Sequence, residues 1–389
     1  MGRMSWQLKK SRGLFFARTG EPQVSYWANS AIRSDIERAG AKIPADLLDW
    51  DPNAPSSRSN CPVMHGMVED IAGLVDPRWR ARASNIYAGR TFSNDDTAFT
   101  GQNVRSGMVA MSSEFSSAVI VYAAMFLTYV TSIDDAKRRT PQEADQILHG
   151  MRAELDEAIE KFKVGGLLAV KGTKFMWFPN QSHLDALDLH ARYAEEFTIA
   201  HEISHHVARD LSSRRDRNVA SLLAELRSSS KTLPLVSRLS ADQRMELEAD
   251  LLATLIIAGG FSSQGVDPFR LHLALMGAGA ALVTIGHLRD EWTSEPSDEH
   301  PGCLTRLYAL LMFLSERYGK ASVLPNEGGV PTMPLARVAG FWMSFAHWAE
   351  GFHEAADELS RIRRADRNYP DSTLLAGHYA AIFGIASEE

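Results

Sequence analysis

The chain has 389 residues, of which 45% are hydrophobic and 23% are charged, a composition that excludes disordered and fibrous proteins. Its formal net charge of −7 lacks the basic excess that non-specific nucleic-acid binding requires, so we expect no nucleic-acid partner. The two cysteines, Cys61 and Cys303, are too few for a disulfide framework or for a zinc site made of cysteines alone. A cytoplasmic globular protein of two or three domains, or of one large domain with insertions, is therefore expected.

Shifts in composition divide the chain into three parts. Residues 51–62 are rich in Pro, Ser and Asn, and residues 321–334 contain three prolines and a Gly pair. We predict an N-terminal arm over residues 1–60, a main domain over 61–320 and a helical C-terminal extension over 321–389. The first twenty residues are basic, but the apolar run that follows is too short for the core of a signal peptide, so we expect no export signal.

A strand and an apolar helix are the first predicted elements of the main domain. Residues 107–112 alternate weakly in hydrophobicity and lead into an uncharged stretch over 115–133. This stretch is long enough to cross a membrane, but it contains five Ser or Thr residues and two Tyr, which favours a buried helix. Since the mean hydropathy of the chain is −0.19, no membrane association is expected.

An amphipathic helix and a hairpin are predicted next. Residues 141–162 carry apolar side chains at steps of three and four, behind a capping-box pattern formed by Thr140 and Glu143. Residues 167–170 and 174–178 flank a short Lys-Gly-Thr sequence, which is typical of a β-hairpin. Helical patterns outnumber strand patterns along the chain. The expected fold class is therefore mainly α with a small β-sheet (α+β).

Residues 183–211 lack Gly and Pro and predict a long helix that contains the sequence His201-Glu202-Ile203-Ser204-His205. Two histidines four residues apart lie on one face of a helix, one turn apart, and can bind the same metal ion. Glu202, next to the first histidine, can act as the general base that takes a proton from a zinc-activated water. This pattern predicts a hydrolytic Zn²⁺ site.

A third protein ligand is needed, because catalytic zinc sites usually have three. Ser240 opens another predicted helix through a capping-box pattern, and on this helix Glu246 and Asp250 share a face. Glu246 can supply the third ligand, and Asp250 can accept a hydrogen bond from a ligand histidine. Glu248 points elsewhere and is the weaker candidate. Alone, such carboxylates would form a solvated helix face. The apolar residues around them favour burial instead. Because burial is costly for charges that are neither paired nor bound to metal, it favours a metal site here.

Two features of the remaining main domain indicate close packing. Residues 271–287 are apolar and rich in Gly and Ala, which suits a helix packed tightly in a core. Cys303 is interpreted as a small buried hydrophobic residue and not as a nucleophile.

Three motifs in order, His201-Glu-x-x-His205, Glu246-x-x-Ala249-Asp250 and His300-Pro301 followed by Arg306, resemble the gluzincin metallopeptidases. The resemblance is strongest to the family of HtpX-type and CAAX-prenyl proteases, and it covers about residues 195–310. Those proteases are embedded in membranes, whereas this chain has no convincing set of membrane spans. The resemblance therefore extends to soluble relatives of that family or to other bacterial gluzincins such as ImmA-like or Lit-type proteases, and the sequence does not choose between them.

The resemblance implies a zincin-like core with helical extensions and a protein or peptide as substrate. It implies His201, His205 and Glu246 as zinc ligands, Glu202 as general base and Asp250 as a supporting residue. It also implies that His300 and Arg306 lie near the cleft, where they assist substrate binding, catalysis or the structure.

A second hypothesis remains open at this point. The long segments outside the motifs, together with the acidic charge, are compatible with a non-catalytic regulatory or interaction protein, for example in stress response or phage defence. In such a protein the zinc-bearing helix pair would be a structural clamp. Glu202 speaks against this hypothesis, because a structural zinc site does not need a general base.

Overall fold

The fold is taken from a computed structural model of the chain. It describes residues 5–29, 33–34, 37, 42–43, 45–48, 61–92, 98–102, 107–136, 140–170, 181–214, 217–229, 232–262, 265–289, 291, 300–318, 342, 345–346 and 349.

The described residues are mostly helical, with one small sheet, which confirms the predicted fold class at this level. The strands are β1 (Ile86–Thr91), β2 (Ala98–Gln102) and β3 (Gly107–Ser112). The helices are α1 (Trp6–Thr19), α2 (Ala45–Leu48), α3 (Pro62–Leu74), α4 (Pro77–Ala83), α5 (Ser113–Ala136), α6 (Pro141–Val170), α7 (Gln181–Arg214), α8 (Arg217–Ser228), α9 (Leu233–Val236), α10 (Ala241–Ile257), α11 (Pro268–Arg289) and α12 (Cys303–Tyr318).

Among the described residues the sheet has the order β1-β3-β2, so that β3 is central and β2 forms one edge of this three-stranded part. β1 runs parallel to β3, with Ile86 opposite Gly107, and β2 runs antiparallel to β3, with Ala98 opposite Met111. The strand predicted over 107–112 is confirmed. Every residue of β1 and β3 is buried, because helices cover the pair. The two strands therefore lack the alternation of buried and exposed residues that a half-exposed sheet shows.

Helix α1 packs on this sheet through an aromatic cluster. Phe15 and Phe16 lie against Tyr87 of β1, with ring centroids 5.1 and 5.9 Å apart. The hydroxyl of Ser11 donates a hydrogen bond of 2.7 Å to the backbone carbonyl of Asn85, just before β1. The beginning of the predicted N-terminal arm is thus in contact with the sheet of the main domain.

The amphipathic helix predicted over 141–162 is confirmed as part of α6, and Thr140 and Glu143 form its capping box. The helix continues to Val170, so the strand predicted over 167–170 is wrong. Gly166 adopts a left-handed conformation (φ 64°) that kinks the chain, and the Leu and Ala residues after it resume the helix. The second strand of the predicted hairpin, 174–178, lies outside the described residues.

Helix α7 lies at the centre of the fold, in contact with α10 on one side and with α11 on another. Its contact with α11 is very close, because a Cβ atom at Gly277 would lie 2.1 Å from the carbonyl oxygen of Tyr193. Helices α5 and α11 confirm the helices predicted over 115–133 and 271–287, and the side chains described in them are mostly buried. Among the described helices, α11 alone is long and apolar enough to cross a membrane, and 78% of its apolar window is buried.

Two aromatic side chains near the C-terminus also reach this core. Trp342 stacks on Phe126 of α5, with ring centroids 3.8 Å apart and planes 4° apart, and Phe345 packs beside both. Trp342 lies over Gly279 of α11, where a Cβ atom would come within 2.3 Å of the indole ring. Part of the predicted C-terminal extension therefore contributes to the core of the main domain.

A buried ion pair joins the sheet to α7. Arg90 of β1 donates a hydrogen bond of 2.6 Å to Glu195 of α7 and a second one to the hydroxyl of Ser116 of α5. Burial lowers the pKa of Arg90, but Glu195 more than compensates, so the guanidinium stays charged. The pair ties the sheet to the helix that bears the two motif histidines.

The close contact between α7 and α11 predicts that Gly277→Ala is destabilising. The new methyl group would overlap the backbone of Tyr193, and overpacking of this kind costs about 1–3 kcal/mol in the free energy of unfolding. Gly73→Ala is the matched control, since nothing lies within 4 Å of a Cβ atom there and Ala favours a helix over Gly. Chemical denaturation would contradict the close contact if both variants were as stable as the wild type.

Candidate metal centre

The two motif histidines lie on α7, which confirms the long helix predicted over 183–211. His201 and His205 are one helical turn apart, and their Nε2 atoms are separated by 3.1 Å. His201 is buried, with 7% of its surface exposed, whereas His205 is partly exposed. The helix therefore presents two imidazole nitrogens side by side at the edge of the core.

Helix α10 adds a carboxylate to the two imidazoles. It begins with the predicted capping box, in which the Ser240 hydroxyl accepts from the backbone N–H of Gln243, and the Gln243 side chain accepts from that of Ser240. One helical turn further on, Glu246 lies 3.2 Å from His201 Nε2 through Oε2 and 3.3 Å from His205 Nε2 through Oε1. The structure thus brings together all three predicted ligands.

The spacing of these three side chains fits a zinc ion. Ligand atoms about 2.0–2.1 Å from a tetrahedral zinc lie about 3.3 Å from one another. The two imidazole nitrogens, 3.1 Å apart, are close to that value. Glu246 presents a different carboxylate oxygen to each of them, at 3.2 and 3.3 Å, and one ligand atom from each of the three residues lies within 4.8 Å of the others. Within the part of the chain that the structure describes, His201, His205 and Glu246 are the one group of three or more His, Cys, Asp or Glu residues that could hold a metal.

Asp250 contacts the first histidine, His201, through the ring nitrogen that does not face His205 and Glu246. Its Oδ1 atom lies 2.8 Å from Nδ1 of His201, and its side chain is fully buried. When Nδ1 carries a proton for this carboxylate, the lone pair of the neutral imidazole is on Nε2, which faces His205 and Glu246. Asp250 therefore sets both the tautomer and the orientation of His201, as the sequence predicted.

Arg306 of α12 holds Asp250 in turn. Its Nε atom donates to Oδ2 at 2.7 Å and its Nη2 atom to Oδ1 at 2.6 Å, a two-pronged contact in which both side chains are buried. Burial raises the pKa of Asp250, but Arg306 and His201 together hold it below its usual value. The sequence placed Arg306 near the cleft, and the structure shows that its guanidinium contacts Asp250.

His300 lies on the more exposed side of the centre. Its Nδ1 atom is 3.2 Å from Oε2 of Glu246, and 38% of its side chain is exposed. The hydrogen bond to Glu246 raises the pKa of His300 above its ordinary value. His300 thus contacts the carboxylate of the third predicted ligand from the side of the solvent.

The two other carboxylates of the motifs differ in their surroundings. Glu202 is buried, with 8% exposed, and among the described residues it makes no ion pair and no side-chain hydrogen bond. Glu248 points away from the centre and accepts a hydrogen bond of 2.6 Å from Arg227 of α8. Glu202 therefore pairs with none of the described residues, and Glu248 is not a ligand candidate because it is held by Arg227.

Sequence reasoning missed two ion pairs that position the centre. Arg90 and Glu195 join residues more than a hundred positions apart, and no local pattern marks them as partners. The contact between Arg306 and Asp250 also went unpredicted, although both residues belong to the motifs. Only the packing of α12 against α10 brings them together.

Cys303 is buried at the start of α12, as the sequence predicted. Its backbone N–H donates a hydrogen bond of 2.8 Å to the carbonyl of Glu291. This bond attaches the beginning of α12 to the segment that follows α11.

Comparisons with protein-family models, with curated proteins and with solved structures gave no match.

The electrostatics of the centre predict a pH effect on stability. Burial lowers the pKa of His201, but its hydrogen bonds to Asp250 and Glu246 outweigh burial and raise the pKa from 6.5 to about 10. Without metal, the stabilisation from His201 is complete below pH 6.5 and is lost as the pH rises towards about 10. The lowered pKa values of Asp250 and Glu246 act at acidic pH and do not change this window.

Chelator-treated protein should therefore lose thermal stability between neutral pH and pH 10, as measured by Tm. A zinc-loaded sample should lose less, because zinc displaces the proton from His201 throughout this range. Parallel Tm profiles for the two samples would show that His201 does not exchange a proton for metal.

Removal of the Arg306 guanidinium should destabilise the protein. Arg306→Gln would leave the buried Asp250 carboxylate without its cation, a loss of about 3–5 kcal/mol in the free energy of unfolding. Zinc affinity should fall about 10–100-fold, because His201 loses its fixed partner. Arg317→Gln on the same helix is the control, since Arg317 forms a surface pair with Glu225 that is worth at most about 1 kcal/mol. Equal unfolding curves for the two variants would contradict the role of Arg306.

Proposed function

We propose that this chain is a zinc-dependent metalloendopeptidase that hydrolyses peptide bonds of a protein substrate. One observation carries the proposal: His201, His205 and Glu246 bring one potential ligand atom each to within 4.8 Å of one another, and the carboxylate of Glu202, which pairs with none of the described residues, is next to them on α7. Three protein ligands leave a fourth position of a tetrahedral ion open, as catalytic sites require. Zinc bound here would polarise the scissile carbonyl and lower the pKa of a water to about 7.

The side chains of the chain would carry the proton transfers. Glu202 accepts a proton from the attacking water and passes it to the leaving amine, so that the amine departs neutral. His300, partly exposed and in contact with Glu246, is placed to donate a hydrogen bond to the oxygen of the scissile carbonyl as negative charge develops on it. Arg306 acts indirectly: it holds Asp250, and Asp250 orients His201.

The proposed zincin-like core also accounts for the position of the sheet. Helix α7 contacts β2 and β3, so the edge strand β2 lies on the side of the sheet near the motif helix. An extended peptide can add to the edge of a sheet through backbone hydrogen bonds. We propose that the substrate binds along β2 and thereby passes the metal centre in an extended form.

The first test compares the wild type with Glu202→Gln. Each protein is purified without chelators, its bound zinc is measured, and it is incubated with a cell lysate whose new protein termini are read by mass spectrometry. Both proteins should hold about one zinc per chain, because Glu202 is not a ligand. Cleavage should fall about 10²–10⁴-fold in Glu202→Gln, because the general base is lost.

Asp188→Asn is the matched control, because it removes one exposed carboxylate from the same helix. It should cleave as the wild type does. Zinc without any cleavage in the wild type would favour the non-catalytic regulatory or interaction protein, in which the helix pair is a structural clamp. Equal cleavage by wild type and Glu202→Gln would exclude Glu202 as the base, and absence of zinc would exclude the ligand set.

A further inference from the structure

Helix α1 carries only positive charge. It contains no acidic residue and four basic ones, Lys9, Lys10, Arg12 and Arg18. The whole chain has a formal net charge of −7, so the charge of α1 is opposite in sign to that of the chain. Glu21, the first acidic residue after the helix, is directed towards the sheet, where its carboxylate accepts a hydrogen bond of 2.7 Å from the backbone N–H of Phe92. No carboxylate of the helix itself therefore offsets this positive charge.

One side of α1 faces away from the sheet. The other side packs on Tyr87 through Phe15. Helix geometry places on the side away from Phe15 the residues Trp6, Lys9, Lys10, Gly13 and Ala17. All five are exposed, and nothing lies within 4 Å of a Cβ atom at Gly13. These five residues form the outer face of α1.

Trp6 lies at one end of the outer face, with 66% of its surface exposed. The ammonium of Lys10, one helical turn further on, lies 3.8 Å from the centroid of a ring of its indole. A tryptophan side chain combines a large apolar ring with a polar N–H and is favoured at the boundary between lipid and water. The outer face thus joins an aromatic residue of this kind to a concentration of positive charge.

Exposed lysines on α6 are arranged differently. Lys161 lies 2.6 Å from Glu157, and Lys163 lies 3.5 Å from Glu160, so each ammonium has a carboxylate about one turn away. Such pairs of opposite charge are typical of a solvated helix face. Because α1 contains no acidic residue, its lysines have no such partner within their own helix. The outer face of α1 is therefore not built as an ordinary solvated face.

We propose that the outer face of α1 binds the surface of an anionic lipid bilayer. A cluster of about four to eight Lys and Arg residues on an amphipathic helix is attracted by the negative surface potential of anionic lipids. Gly13 and Ala17 allow the helix backbone to approach the head groups, and Trp6 enters the boundary region. The expectation of no membrane association rested on mean hydropathy, which reports on membrane spans and not on electrostatic binding at a surface.

The test measures co-sedimentation of the full chain with lipid vesicles. One set of vesicles is phosphatidylcholine alone, and the other is an equal mixture of phosphatidylcholine and phosphatidylserine. The wild type should sediment with the mixed vesicles and not with phosphatidylcholine. Raising the salt from about 0.1 M to about 1 M should release it, because the Debye length falls from about 10 Å to about 3 Å.

Two double variants test the charges. Lys9→Gln/Lys10→Gln should lower the vesicle partition coefficient about 30-fold, since each basic residue near an anionic surface contributes about fivefold. Lys161→Gln/Lys163→Gln is the matched control, because it removes two exposed lysines from α6 and changes the net charge equally. It should sediment as the wild type does. The Tm of each variant is measured to show that the fold is retained.

A second pair of variants tests the aromatic residue. Trp6→Ala should weaken binding to the mixed vesicles, because the ring no longer enters the boundary region. Phe269→Ala is the control, since it removes another exposed aromatic ring, 55% exposed, from the start of α11. Equal binding by these two variants would overturn the role of Trp6.

The other outcomes decide whether the partner is a bilayer. Equal sedimentation with both kinds of vesicle, no sedimentation with either, or equal losses in the two double variants would overturn the proposal. Comparable binding to duplex DNA or to polyglutamate, independent of Trp6, would also overturn it and would assign the outer face to another polyanion. No residue of α1 belongs to the metal centre, so each of these results leaves the proposed peptidase function unaffected.

Discussion

The candidate metal centre depends on one buried carboxylate, that of Asp250. It accepts hydrogen bonds from Arg306 on α12 and from His201 on α7, so a single side chain of α10 joins three helices. The charge of Arg306 and the hydrogen bond with His201 compensate the cost of burying it, and both partners are themselves inside the fold. Because the carboxylate cannot turn without breaking one of these contacts, the imidazole of His201 has one orientation. Glu246, one turn earlier on the same helix, is placed by the same packing.

Whether a contact of the fold or of the site could be predicted depends on how far apart its two residues lie in the sequence. Helix geometry alone puts His201 beside His205 and Glu246 beside Asp250, so spacing was sufficient to predict those pairs. The helix boundaries of α10 and α6 were predictable for the same reason, since Ser240 and Thr140 cap their helices through residues three positions away. Apolar content was sufficient to predict that α5 and α11 are buried.

Contacts between segments that are distant in the sequence could not be predicted. The parallel pairing of β1 with β3, the ion pair between Arg90 and Glu195, and the contact of Arg306 with Asp250 each require knowledge of which helices and strands meet. The strand predicted over 167–170 was wrong because the short Lys-Gly-Thr sequence after it resembles a hairpin turn, whereas the chain there is still helical: α6 resumes after the kink at Gly166 and continues to Val170. Propensity describes what a segment tolerates, and the packing around it decides which conformation is adopted.

The packing of small residues explains how these helices come close enough to bring the three candidate ligands together. α11 approaches the backbone of α7 at Gly277 because no side chain intervenes, and Trp342 covers the same helix at Gly279. Tight contact on that side fixes the axis of α7, while α10 fixes its rotation through Asp250. A zinc ion needs its ligands within a few tenths of an ångström of their ideal positions. The distances of 3.1–3.3 Å among His201, His205 and Glu246 therefore depend on the packing of α10 and α11 against α7, and not on the motif residues alone. A short sequence motif can supply the ligand atoms, but the rest of the core has to hold the two helices at this separation.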